Sequence, residues 1–241
     1  MGERRPAFRN VLEVVARARP DATDIAEALT EGRVLVDGRV ITNPNALVRT
    51  SAAIRLVPRR RLRGESKLRF ALDRFEVFVD GRAALDIGAA AGGFTAVLLE
   101  RGARLVYAVD AGFGQLRGDL RANRRVVVLE RTNLGELGPE LIPGPVEIVT
   151  LDLSYLAIAA AVPQLYRLRF RPEADLLALV KPTFELGSRT LAAEPADLAR
   201  AMRCAADGIE RGGWAVLDTA PSPIRGGSGA LEGFVHARWV S

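Results

Sequence analysis

The chain is poor in the residues that build most metal and nucleophile sites. Its 241 residues include one cysteine, Cys204, and one histidine, His236. A single cysteine excludes an internal disulfide. Together the two residues exclude a Cys/His zinc site and argue against a Ser-His-Asp triad. Chemistry therefore falls to carboxylates, lysine, hydroxyls or a cofactor, and no metal is expected. Long apolar runs are missing too. The longest uncharged stretch, Leu153 to Tyr166, contains Pro163 and is shorter than the roughly 20 residues a membrane helix needs. Glu3, Arg4 and Arg5 open the chain with no apolar signal core behind them. The expected location is cytoplasmic, with no membrane partner.

Lysine is nearly absent as well. Lys67 and Lys181 are the only two, while the other 32 basic residues are arginine. A lysine that survives in so arginine-rich a chain marks a place where arginine will not serve. Arginine keeps its proton in proteins, whereas a desolvated lysine can give it up and act as a base. Lys181 follows the apolar run Leu176 to Val180. That places it at the C-terminal end of a buried strand, where α/β sheets hold their active sites.

What is present argues for a folded enzyme with a basic appendage. Apolar residues make up 49% of the chain and charged residues 26%, enough for a core and against disorder. The net charge of +5 is unevenly placed: residues 1–63 hold 13 Arg against 7 acidic residues, and the remainder is close to neutral. A basic module beside a neutral domain suggests a polyanionic partner.

Residues 11–31 read as two short helices around Arg19-Pro20-Asp21. Asp37-Gly38 between apolar runs signals a hairpin, and Ala53 to Val57 reads as a further strand. Pro58 then opens the run Arg59, Arg60, Arg61, Leu62, Arg63. These signals divide the chain into a small basic domain (1–58), a linker (59–65) and a main domain (66–241). In the main domain a helix is expected over Ser66 to Phe75. Strands follow at Ala83 to Gly88, Leu105 to Val109, Val126 to Leu129, Val146 to Leu151 and Leu176 to Val180. Further helices are expected at Phe94 to Arg101 and Ala196 to Arg211. Trp214 to Leu217 and Phe234 to Trp239 close the sheet. The alternation implies an α/β fold, a Rossmann-like parallel sheet with helices on both faces.

The segment Asp86-Ile87-Gly88-Ala89-Ala90-Ala91-Gly92-Gly93-Phe94-Thr95 joins the first of these strands to a helix. Ala90 stands where the nicotinamide fingerprint needs its second glycine. An acidic residue two before the first glycine is instead typical of S-adenosylmethionine enzymes. Asp86, Gly88, Gly92, Gly93 and Phe94 are thus candidate cofactor contacts. Asp110, at the next strand end, is placed to accept ribose hydroxyls, and Thr132 and Asn133 to border the adenine. His236 is read as structural.

These residues resemble the hemolysin-A-like (TlyA) ribosomal RNA 2′-O-methyltransferases, whose catalytic domain is of the FtsJ type. The resemblance runs through Gly32 to Gly38, Asp86 to Thr95, Tyr107 to Asp110, Glu130 to Asn133, Asp152-Leu153-Ser154-Tyr155, Val180 to Glu185, Ser222-Pro223-Ile224 and Leu231-Glu232. It implies S-adenosylmethionine as cofactor and a small N-terminal domain like ribosomal protein S-four. It also implies a Lys-Asp-Lys-Glu tetrad falling on Lys67, Asp152, Lys181 and Glu232, with Lys181 as the candidate general base. Its expected partners are RNA, ribosomal RNA or ribosomal subunits, gripped in part by Arg33, Arg39, Arg59, Arg60, Arg61 and Arg63. Ala22-Thr23-Asp24 departs from the family's Ser-Arg pair, Ala90-Ala91 from its Ser-Thr, Gly64-Glu65 from its Gly-Gly, and Gly187 to Thr190 from its glycine-rich segment. Two rival readings stand beside this resemblance: an RNA-binding protein that keeps the fold without catalysis, against which the four tetrad positions stand, and methylation of a small hydroxylated metabolite, which the poorly matched N-terminal half leaves open.

Overall fold

A computed structural model describes residues 7–22, 25–30, 32–58, 62–187, 194–227 and 229–240. The chain divides into two compact units, Met1–Arg60 and Arg61–Ser241.

The first unit has its own small core of Val11, Val14, Val15, Ala28, Leu29, Val34, Val36 and Val48. Strand β1 (Phe8–Asn10) leads into α1 (Val11–Ala18). The Asn10 side chain caps α1 by accepting the Leu12 N–H at 2.8 Å. Helix α2 (Ile25–Thr30) follows, then β2 (Val34–Val36), β3 (Arg39–Ile41), β4 (Leu47–Arg49) and β5 (Ile54–Leu56). Asp37 and Gly38 both take positive φ, 49° and 79°, the conformation that a two-residue hairpin turn needs. β2 pairs with β3 and β5 in one sheet, and β1 with β4 in a two-stranded ribbon.

The second unit opens with α3 (Arg63–Arg74), followed by β6 (Ala83–Ile87), α4 (Gly93–Glu100), β7 (Leu105–Asp110), α5 (Gly118–Arg121), β8 (Val126–Glu130) and β9 (Val146–Leu151). Then come α6 (Ile158–Ala161), β10 (Phe170–Val180), α7 (Pro182–Glu185), α8 (Pro195–Arg211), β11 (Trp214–Pro221) and β12 (Gly233–Trp239). Seven strands form one sheet in the order β11-β12-β10-β9-β6-β7-β8. Alternate side chains of each strand feed two cores. Leu85, Ile87, Val149 and Leu151 pack with Ala201, Ala205 and Ile209 of α8 on one face. Ala84, Ile148, Leu177 and Leu179 pack with Leu68 and Leu72 of α3 and Val97 and Leu98 of α4 on the other. Helices cover both faces, as the alternating pattern predicts.

Three details differ from the sequence reading. β12 runs antiparallel to both its neighbours and lies between β10 and β11, so the sheet is not wholly parallel. A short apolar strand carries no signal of its direction. β10 starts at Phe170, six residues before its apolar run, because Phe170 packs against Trp214 and Trp239. Residues 63–65, expected in the linker, form the first turn of α3. There Glu65 accepts the Leu62 N–H and so satisfies a free helix-start donor. Arg59, Arg60 and Arg61 lie outside the described residues.

Candidate active site

The four tetrad positions meet at one end of the sheet. β10 and β12 are paired through Val180 and Gly233, so Lys181, just after Val180, and Glu232, just before Gly233, flank the same rung. Asp152 follows β9, the strand on the other side of β10, and its N–H donates to the Ile87 carbonyl at 2.9 Å. Lys67 comes from α3.

The four divide into two ion pairs. Lys67 Nζ donates to Glu232 Oε2, and both side chains are buried, 7% and 6% exposed. Lys181 Nζ lies 2.6 Å from Asp152 Oδ1, and this pair is more open. Lys181 also donates to Ser154 Oγ at 2.7 Å. The two lysines therefore differ in accessibility. Lys67 is enclosed with its partner, whereas Lys181 stands where a substrate can reach it.

Beside this pair is a cleft lined by Leu62, Gly64, Gly88, Ala89, Ala90, Ala91, Gly93, Phe94 and Asp152. Gly88 has φ +83°, and a Cβ there would lie 2.5 Å from the Asp152 carbonyl oxygen. Only glycine lets the loop pass so close to the Asp152 backbone. At Gly92, with φ +90°, a Cβ would come within 2.2 Å of Leu120. Asp110 fastens the loop from the next strand. Its Oδ2 accepts the Ala90 N–H at 2.8 Å and its Oδ1 the Gly112 N–H at 2.7 Å. Among the described residues the lining carries one carboxylate, that of Asp152, which suits a positively charged or neutral ligand.

Several of the expected cofactor residues also have partners within the protein. Asp86 is fully buried beneath the loop. Its oxygens accept the Thr95 hydroxyl at 2.6 Å and the Thr150 hydroxyl at 2.9 Å, and the carboxylate ties α4 to β9. Phe94 borders the cleft but is itself buried, stacked on Phe234 with centroids 6.3 Å apart. Asn133 opens a short 3-10 turn, its N–H donating to Glu136 at 2.7 Å. The Thr132 hydroxyl donates to the Glu130 carbonyl at 3.2 Å. His236 is structural, as expected: buried, 2.8 Å from Asp175 and stacked on Phe75.

Burial pushes the Asp86 carboxyl up to about 6, while the two threonine hydroxyls pull it back. A folded-state value above the unfolded one means the neutral acid is favoured by folding. That contribution is full below about pH 4 and is lost as pH rises through about 6. Asp86→Asn, neutral throughout, is expected to remove this loss, which is on the order of 2–3 kcal/mol. Either threonine hydroxyl can reverse to meet the amide. Melting curves of the ligand-free protein at pH 5 and pH 8 check it. An unchanged gap between the two melting temperatures would show that Asp86 is not the group responsible.

The sequence reading missed Ser154, the acceptor on Lys181, and Glu185, which accepts the N–H groups of Ile158 and Ala159 at the start of α6. Both lie inside motifs already noted, but nothing in their spacing shows which atoms they meet. Phe113 and Tyr155 were also passed over. Each is more than half exposed, and Arg131 covers the Phe113 ring at 4.1 Å.

Residues 60–228 match the FtsJ-like methyltransferase family. The chain is 44% identical over 181 residues to the 16S/23S rRNA (cytidine-2′-O)-methyltransferase TlyA of Mycobacterium tuberculosis, covering 73% of this chain and 67% of that protein. It is 29% identical over 180 residues to the 23S rRNA (cytidine-2′-O)-methyltransferase TlyA of Campylobacter jejuni, covering 72% and 69%. Among solved structures, a hemolysin-like protein of Streptococcus thermophilus superposes with a TM-score of 0.71 at 27% identity, covering 98% of this chain and 90% of that one. One from Lactococcus lactis gives 0.69 at 33% identity, covering 73% and 87%. With a sheet, a glycine loop and a family match that agree over most of its length, the chain belongs to the FtsJ-like methyltransferases, enzymes that depend on S-adenosylmethionine.

Proposed function

We propose that this enzyme methylates a ribose 2′-hydroxyl in ribosomal RNA, acting on ribosomal subunits in the cytoplasm. The observation that carries the reading is the accessible Lys181–Asp152 pair at the strand ends beside the glycine loop. The relatives' names supply the substrate: two of them act on cytidine 2′-oxygens of rRNA.

S-adenosylmethionine, when bound, supplies an electrophilic methyl group on a sulfonium that leaves as a neutral thioether. The Gly88 to Gly93 loop and Asp110 would hold it, the carboxylate of Asp110 having lone pairs to spare for ribose hydroxyls. Lys181 in its neutral form takes the proton of the attacking hydroxyl, and Asp152 stabilises the ammonium that results. The buried Lys67–Glu232 pair braces α3 against the start of β12 and sets the field around Lys181. Holding the hydroxyl in line contributes up to roughly 7–11 kcal/mol in well-oriented cases.

Residues 1–58 are assigned to RNA affinity, as a domain like ribosomal protein S-four. Arg39 and Arg63 are exposed, and Arg33 reaches the Val57 carbonyl at 3.4 Å. Neutralising Arg59, Arg60, Arg61 and Arg63 together is expected to weaken RNA binding and flatten its salt dependence, by about one unit of slope per lost phosphate contact. Filter binding across a salt series checks it. An unchanged slope would make that run a solvated connector. The overall reading is tested by incubating the protein with labelled S-adenosylmethionine and ribosomal subunits, naked rRNA or an extract of small metabolites. Label on a ribose 2′-oxygen supports it. Label confined to a metabolite, or RNA bound without transfer, overturns it.

A further inference from the structure

We propose that Ser154 is a positioning residue, which sets the direction of the Lys181 amine through its hydroxyl. The inference rests on the reading of Lys181 as the proton acceptor.

The two contacts of Lys181 Nζ are unlike in kind. Asp152 Oδ1 is 2.6 Å away, yet that oxygen is buried and has no partner with hydrogen-bond alignment. The contact is a close approach without alignment, so it does not select one rotation of the amine. Ser154 Oγ, at 2.7 Å, is aligned as an acceptor. Hydrogen bonds weaken steeply as they bend, so Ser154 fixes the rotation about the Cε–Nζ bond. A neutral amine has two N–H bonds and one lone pair on a tetrahedral nitrogen. With one N–H committed to Ser154 and the other on the Asp152 side, the lone pair keeps a single direction for the attacking hydroxyl. Without Ser154 the amine is free to rotate and its side chain to shift, so the lone pair and the attacking hydroxyl are no longer held in line.

The placement of Ser154 is itself fixed. Ser154 lies between Asp152 and α6, and Lys181 immediately precedes α7. Glu185 of α7 accepts the backbone N–H groups of Ile158 and Ala159 at the start of α6. That clasp holds the two loops in one register and makes the Ser154–Lys181 bond a property of the scaffold. Ser154 is exposed and contributes no packing, so removing its hydroxyl leaves the fold intact.

The test is single-turnover methylation of purified small and large ribosomal subunits by wild type, Ser154→Ala, Ser154→Thr and Lys181→Arg. Affinities for S-adenosylmethionine and for the subunits are measured separately. Ser154→Ala is expected to lose about 10- to 100-fold in rate, the scale of a misplaced reacting group, with both affinities unchanged. Ser154→Thr, which keeps the hydroxyl, is expected to restore most of that rate. Ser154→Ala at wild-type rate, or Ser154→Thr as slow as Ser154→Ala, overturns the proposal. Lys181→Arg separates it from its foundation. An active Lys181→Arg removes the base and with it this role. An inactive Lys181→Arg beside a fully active Ser154→Ala removes Ser154 alone.

Discussion

Lys181→Arg is expected to lower the single-turnover rate of methyl transfer by about 10² to 10⁴, the usual worth of a general base, while cofactor binding stays nearly intact. Arginine keeps the charge beside Asp152 but cannot accept a proton near neutral pH. Its planar head is also larger than the amine now fitted between Asp152 and Ser154. A rate above about a tenth of wild type would be a smaller loss than any base effect in that range, and Lys181 would not be the base. Calorimetry with S-adenosylmethionine shows whether a lost rate is lost binding.

Glu232→Ala is expected to cost about 3–5 kcal/mol of stability, because it leaves the Lys67 ammonium buried without its partner. For a unit of this size that is a fall of roughly 10 °C in melting temperature. The double variant Lys67→Met/Glu232→Leu is expected to recover most of the stability, since well-packed apolar residues commonly replace a buried pair without loss. It should nonetheless be inactive. Thermal melts of the single and double variants, each with a methylation assay, separate bracing from chemistry. A stable Glu232→Ala protein would show that Lys67 has another counter-charge. An active double variant would show that the pair is structural alone.

The scarcity of lysine pointed to one member of each pair, Lys67 and Lys181. The apolar run ending at Val180 placed Lys181 at a strand end, and the sheet register confirms it. Sequence pattern could not say which carboxylate each lysine meets, since Lys67 and Glu232 stand 165 positions apart and only the pairing of β10 with β12 joins them. The glycine loop was legible because Gly88 and Gly92 hold left-handed φ values that favour glycine, and at Gly88 a Cβ would also meet the Asp152 backbone. The partners of Asp86 were not legible. Its position in the motif is the expected one, but whether a carboxylate faces a ligand or two threonines depends on Thr150, a residue from a different strand. The direction of β12 was hidden because alternation reports which face a residue occupies and not which way the chain runs. Nor did the sequence show the 3-10 turn that Asn133 opens, with its N–H on Glu136.

The placement of β12 also links closure of the sheet to the charge inside the site. β10, β9, β6, β7 and β8 can associate through parallel pairings as soon as their segments are available. Among the described residues β11 pairs only with β12, and these two consecutive strands join the sheet when β12 docks on β10. Until it does, β10 presents an open edge, the kind that recruits strands from other molecules. Lys67, too, lacks its acid until that moment, because Glu232 is carried at the leading end of β12. Docking of β12 on β10 therefore completes the sheet and neutralises the buried amine together, and a chain in which that pairing is lost has both an incomplete tetrad and an exposed strand edge.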